Sequence, residues 1–199
     1  MMLLEDRLGA ALALAHDAHR TQRRKGTDIP YISHPMAVAS LVLEYGGTEI
    51  QAMAALLHDA IEDGGADYDN RIGEAFGMNV LEIVRDCTDG TAEAKAVAST
   101  PEDKYAAWKA RKLAYLEHLR GKPADAPSVL VSACDKLHNA RAIVNDLREV
   151  GSRVFDRFKA GREGTLWYYG ELAQIFTEKG AAPAPSLTRE VEAMQQAAA

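Results

Sequence analysis

Gln51-Ala-Met-Ala-Ala-Leu-Leu-His-Asp-Ala-Ile-Glu-Asp63 runs an apolar segment directly into one imidazole and three carboxylates, and Gly64-Gly65 ends it. Ala, Leu and Met are strong helix formers, so the stretch predicts a helix whose ionisable residues occupy its C-terminal turns. At about 100° per residue, His58 and Glu62 are i,i+4, as are Asp59 and Asp63, while Asp59 and Glu62 are i,i+3. The four side chains then cover one broad face. Carboxylates at that end oppose the helix dipole, which favours cations, and like charges four residues apart repel further. The segment needs a positive partner, and its composition is that of a metal site.

An acidic helix end facing water is the ordinary reading of one such segment, but two others supply matching groups. Asp135-Lys-Leu-His138-Asn139 follows the apolar run Val129-Leu-Val-Ser-Ala-Cys134, which puts a carboxylate in or beside a second buried helix. In Pro30-Tyr-Ile-Ser-His34-Pro35, a histidine precedes a proline suited to the first turn of a third. Taken singly, a histidine before a proline is a turn residue and a buried aspartate a structural group. Together, His34, His58, Asp59 and Asp135 form a mixed nitrogen and oxygen set suited to a divalent first-row ion. The lack of thiolates favours a hydrolytic site with water in open positions over a structural zinc site.

The order His, His-Asp, Asp resembles that of the HD-domain metal-dependent phosphohydrolases. More narrowly, the chain resembles the hydrolase domain of Rel/SpoT-type alarmone enzymes and the single-domain small alarmone hydrolases. The resemblance covers about residues 8–175 and rests on Ala18-His19 with Gln22, Arg24-Lys25-Gly26, Pro30-Tyr-Ile-Ser-His34-Pro35 with Val38-Ala39, Leu56-Leu-His-Asp-Ala-Ile-Glu-Asp63, and Asp135-Lys-Leu-His-Asn-Ala-Arg141. It implies one manganese ion on His34, His58, Asp59 and Asp135, with Glu62 and Asp63 positioning or activating the attacking water. It further implies substrate contacts from Arg24, Lys25, Asn139 and Tyr169. Two departures bear on substrate-contact geometry and touch no metal ligand: the spacer Gly26-Thr-Asp-Ile29 is one residue longer than in many members, and Ala142 stands for a threonine common in the long bifunctional enzymes. The stretch before Tyr169 is also longer than usual.

The expected activity is removal of the 3′-diphosphate from guanosine tetra- or pentaphosphate, or from adenosine analogues such as ppApp. Another HD-type reaction, on NADPH or a nucleoside phosphate, would use the same metal set without needing a 3′-diphosphate. A nucleotide sensor would ordinarily have lost a ligand or an acid, and all are present here. The chain ends where the bifunctional enzymes begin their synthetase domain, so a stand-alone degrading enzyme is expected.

Charge agrees with a small-molecule substrate. The 23 Lys and Arg against 29 acids give a net charge of −6, which argues against nucleic acid as a partner. Positive charge concentrates locally in Arg20-Thr-Gln-Arg23-Arg24-Lys25, with Gly26 a candidate helix C-cap. Arg111-Lys112 and Arg141 read as surface charges or ion-pair partners, with phosphate contact the alternative. No apolar run approaches the ~20 residues that span a bilayer, and the first residues lack the basic start of a secretory signal, so the expected compartment is the cytoplasm. Cys87 and Cys134 have neither metal-binding nor redox spacing.

The pattern predicts an all-α, compact multi-helix bundle, with helices near 3–23, 35–46, 48–63, 69–76, 78–88, 101–120, 128–148, 152–160 and 163–178. Asp89-Gly90-Thr91 opens a predicted loop through Thr100-Pro101 that could border the cleft. Residues 1–180 read as the hydrolase domain, and 181–199 as a Pro/Ala-rich linker with a short terminal helix. Oligomeric state has no signature in the sequence.

Overall fold

The computed structural model describes residues 6–88 and 100–198. They are helical almost throughout; the described residues hold no strand, only an isolated bridge between Arg23 and Pro30. The Asp89-Gly90-Thr91 loop reading lies outside the described residues.

Two helices form the centre. In α3 (Glu49–Leu57), every residue from Ala52 to Leu57 is buried, as expected of a helix apolar all round. Its start is fixed by a capping box, in which Thr48 accepts from the Gln51 amide and the Gln51 side chain accepts from the Thr48 amide. The second, α8 (Pro127–Val150), opens on a proline at its first turn and buries one long face from Ser128 to Leu147. Around them pack α1 (Asp6–Ala18), α2 (Ser33–Glu44) and α6 (Met78–Cys87). The short α4 (Ala60–Gly64) and α5 (Asp67–Phe76) connect α3 to α6. Helix α7 (Pro101–Gly121) lies outermost against α9 (Gly161–Glu178), burying little beyond Tyr115, Leu116 and Leu119.

The predicted bundle is present, with local differences. The expected helix over 3–23 ends at Ala18, where the His19 side chain turns back onto Gln22 (Nδ1 to Oε1, 2.7 Å). Residues 22–31 then fold as a tight loop closed by Arg24 N–H to Ile29 O (2.8 Å) and Tyr31 N–H to Gln22 O (3.0 Å). Gly26, read as a helix cap, instead sits near the loop tip at φ +73°, where an added Cβ would lie 2.6 Å from Arg157 Cδ. The helix expected over 152–160 is a 3-10 segment, Gly151–Arg157.

Residues 181–199 contain α10 (Ala184–Ala197), which packs on α8 and α9 and buries Ala184, Leu187, Val191 and Met194. The 3,4,3 spacing of those residues is the period of one helix face. Among the described residues, no helix is long and apolar enough to cross a membrane.

Candidate active site

The deciding segment is not one continuous helix. α3 stops at Leu57, His58 and Asp59 form a turn, and α4 resumes at Ala60. The cause is local competition for a carbonyl: the His58 ring Nδ1 lies 2.8 Å from Ala55 O and donates to it, so a side chain engages an oxygen that the helix ladder would use. Asp59 consequently takes φ −99°, ψ −3°, and the acids do not share a single face. His58 and Asp59 turn inward, Glu62 lines a neighbouring cavity, and Asp63 reaches the loop after α1.

Four side chains from separate parts of the chain meet at this break. His34 Nε2 lies 3.1 Å from Asp135 Oδ1 and 3.6 Å from Asp59 Oδ2; His58 Nε2 lies 3.0 Å from Asp59 Oδ2 and 3.6 Å from Asp135 Oδ1. Both imidazoles are buried, and neither Nε2 has a hydrogen-bond partner of acceptable geometry. Donor atoms each about 2.0–2.2 Å from a common ion stand roughly 3.0–3.6 Å from one another, which is the spacing found here. His34, His58 and Asp59 form a cluster able to hold a metal, and Asp135 Oδ1 lies 3.1 and 3.6 Å from the two histidine nitrogens.

Burial and the mutual charges of the four groups set their ionisation. Burial disfavours charge on His58, but Asp59 and Asp135 outweigh it and raise its pKa well above the usual imidazole value. For His34, burial wins and the pKa falls. Burial opposes ionisation of both carboxylates, yet nearby charges hold them low: His58 for Asp59, and Lys136 followed by the two histidines for Asp135.

Supporting groups fix these donors. Tyr31 O–H donates to Asp59 Oδ2 at 2.6 Å, its phenol kept protonated by burial and then by the adjacent carboxylate. Asp135 accepts from Lys136 Nζ on Oδ2 and from Asn139 Nδ2 on Oδ1, each at 2.6 Å. Arg24 Nη2 in turn donates to Asn139 Oδ1 at 2.9 Å. Gln22 Nε2 donates to Asp63 Oδ2 at 2.9 Å while its Oε1 faces His19.

Beside this cluster lies a cavity of about 310 Å³ lined by Glu62, by the cations Lys25, Arg111, Lys112 and Lys159, and by aromatic residues including Trp108, Phe158 and Tyr169. Burial and then the neighbouring Lys159 lower the Lys25 pKa. Arg111 and Lys112, read from sequence as surface charges with phosphate contact the alternative, belong to the cavity wall. Arg141 lies 3.6 Å from Glu190 in an ion pair. Both cysteines are buried and free.

Of the site residues named from sequence, His34, His58, Asp59 and Asp135 meet in the cluster, Asn139 and Arg24 are hydrogen-bonded behind Asp135, Lys25, Glu62 and Tyr169 line the cavity, and Asp63 is exposed and tied to Gln22. Sequence reasoning gave no role to Tyr31, Lys136 or His138, although each sits within three residues of a ligand candidate. Lys159 and Phe158 carried no signal, because only the 3-10 segment after α8 brings them to the cleft.

A helical bundle that draws two imidazoles and two carboxylates from distant helices into one buried cluster defines the class. The chain belongs to the HD domain family, whose model matches residues 11–166. HD domains are metal-dependent, and the cluster is suited to a metal. Within the family, the chain is similar to the bifunctional (p)ppGpp synthase/hydrolase SpoT of Escherichia coli K12, with 32% identity over 84% of this chain and 21% of that enzyme. It thus spans about a fifth of the length of the first relatives it matches. It is also similar to the guanosine-3′,5′-bis(diphosphate) 3′-pyrophosphohydrolase MESH1 of Xenopus tropicalis, at 34% identity over 86% of this chain and 94% of that protein. The solved structure of a metazoan SpoT orthologue that hydrolyses ppGpp shares the fold, with TM-score 0.75 and 21% identity, each chain covered fully.

Proposed function

We propose that this protein is a metal-dependent phosphohydrolase that removes the 3′-diphosphate of (p)ppGpp-type alarmones, yielding pyrophosphate and GDP or GTP, or the adenosine equivalents from ppApp-type substrates. The observation that carries the reading is the pairing of an acid-and-imidazole cluster with a cation-lined cavity of about 310 Å³, Glu62 lying between them. Such a volume suits a nucleotide-sized ligand. A nucleotide phosphorylated at both ribose ends presents two anionic groups, one for each end of this cleft. The names of the relatives, SpoT and MESH1, supply the substrate class.

In this reading His34, His58, Asp59 and Asp135 hold one divalent ion, and manganese is the ion implied by the resemblance. Such an ion supplies Lewis acidity and water acidified to near neutral pH. Glu62, one turn after Asp59, accepts the proton of the attacking water, with Asp63 beside it as the alternative acceptor; a general base is worth about 10²–10⁴ in rate. Lys25, Arg111, Lys112 and Lys159 neutralise the substrate's remaining phosphates. Arg24 and Asn139, already hydrogen-bonded to each other, close the ribose side, and Tyr169 with Trp108 and Phe158 offers the base an aromatic wall. Residues 1–180 form the hydrolase domain, against which α10 packs. The partner is a small nucleotide rather than a nucleic acid, and the setting is the cytoplasm.

The test is release of pyrophosphate and orthophosphate by metal-stripped, manganese-reconstituted protein given ppGpp, ppApp, GTP and NADPH separately. Pyrophosphate from ppGpp or ppApp alone is the expected result and names the base. Silence on both, with manganese bound, overturns the reading.

A further inference from the structure

His138 reaches the cluster only through His34. Its Nδ1 lies 2.8 Å from the Nδ1 of His34, with the ring centroids 4.9 Å apart and the planes inclined by 40°. A neutral imidazole has one N–H and one lone pair, so two facing Nδ1 atoms at this separation share a single proton, and one ring donates while the other accepts. The direction decides what His34 can do. If His34 donates, its Nε2 presents a lone pair towards Asp59 and Asp135. If His34 accepts, its Nε2 carries the proton and points N–H into the cluster, where that nitrogen cannot bind a cation. His58 faces no such choice, because its Nδ1 partner is the Ala55 carbonyl at 2.8 Å, which can only accept.

We propose that His138 is a positioning residue: by accepting the Nδ1–H of His34 it sets that ring's tautomer and orientation, and thereby the affinity of the centre for a divalent cation. The inference rests on the reading of the cluster as a metal centre. Outer partners of ligating histidines act in this way, and their loss typically costs about 10–100-fold in metal affinity. His34 is 1% exposed, and a phenyl ring in place of His138 offers it no acceptor.

The experiment is calorimetric titration of Mn²⁺ into metal-stripped wild type, His138→Phe and His138→Asn, each checked for folding by circular dichroism. Asparagine returns an acceptor oxygen near the position of Nδ1. The expected result is about 10–100-fold weaker binding by His138→Phe and recovery to within a few-fold of wild type by His138→Asn. Unchanged affinity in His138→Phe, or equal weakening in both folded variants, overturns the proposal and leaves the metal centre standing. Wild type that takes up no cation overturns the metal reading and this one with it. Should His138→Phe fail to fold, ¹⁵N-histidine NMR of the Zn²⁺-loaded wild type decides. His138 protonated at Nε2 and bare at Nδ1 supports the role, and a proton on its Nδ1 refutes it.

Discussion

The two ends of the cleft are built in opposite ways. At the cluster, every donor residue is held by a second group: Tyr31 on Asp59, Lys136 and Asn139 on Asp135, His138 on His34, and the backbone carbonyl of Ala55 on His58. At the other end, four cations crowd an open wall, and the Lys25 ammonium is disfavoured by burial and by Lys159. One end is fixed by hydrogen bonds, whereas the other gathers positive charge against aromatic rings, Lys25 over Phe158 and Lys112 over Tyr168. A site organised like this separates chemistry from recognition. Substitutions at the first end should remove turnover, and substitutions at the second should weaken binding.

The largest effect is expected at Asp59 and Asp135. Asp59→Ala or Asp135→Ala should abolish manganese uptake, measured by elemental analysis, together with pyrophosphate release. The loss should exceed the about 10–100-fold expected for a supporting hydrogen bond. Full turnover by either purified variant would remove that residue from the ligand set.

That end of the cleft was also the more legible in sequence, for a physical reason. Metal ligands must be particular residue types, and helical segments place them at fixed offsets from apolar runs, so His34, His58-Asp59 and Asp135 stand out. The break between α3 and α4 was hidden because the composition of Leu56–Asp63 is helical throughout, and only the His58 bond to Ala55 O interrupts it. The cationic end was read in part. Lys25 lies in a visible basic run, but Arg111 and Lys112 on α7 look like any solvated helix face. Lys159 reaches the cavity through a 3-10 turn that periodicity does not reveal. Tertiary assembly, not local pattern, makes that wall.

Glu62 sits where the two ends meet, and Glu62→Gln tests whether they divide as described. The amide keeps the shape and loses the base, so the variant should retain manganese while kcat falls by about 10²–10⁴. Normal rates would remove Glu62 from the mechanism, and loss of the ion would move it into the ligand set.

The cationic wall should answer in KM. A hydrogen bond to a charged group contributes about 1.5–3 kcal/mol, so Lys112→Ala and Lys159→Ala should each raise KM by roughly 10–100-fold with kcat within a few-fold. The penalty should shrink as salt is added, because screening weakens exposed charge pairs. A fall in kcat at constant KM would show that these lysines act on the reacting phosphate, and the separation of the two ends would fail.

The smallest effect is expected at Gln22, and it bears on the two acids that sequence could not distinguish. Asp63 is exposed, and its Oδ2 is tied to the Gln22 amide, which His19 holds from behind. Glu62 instead lines the cavity. If Glu62 is the base, Gln22→Met frees Asp63 and also loses the contact with His19, and kcat should fall by no more than roughly tenfold with metal affinity and KM unchanged. If the fall matches that of Glu62→Gln, the carboxylate that Gln22 orients is taking part in proton transfer. The fixed end of the cleft would then extend through Asp63 to the loop after α1.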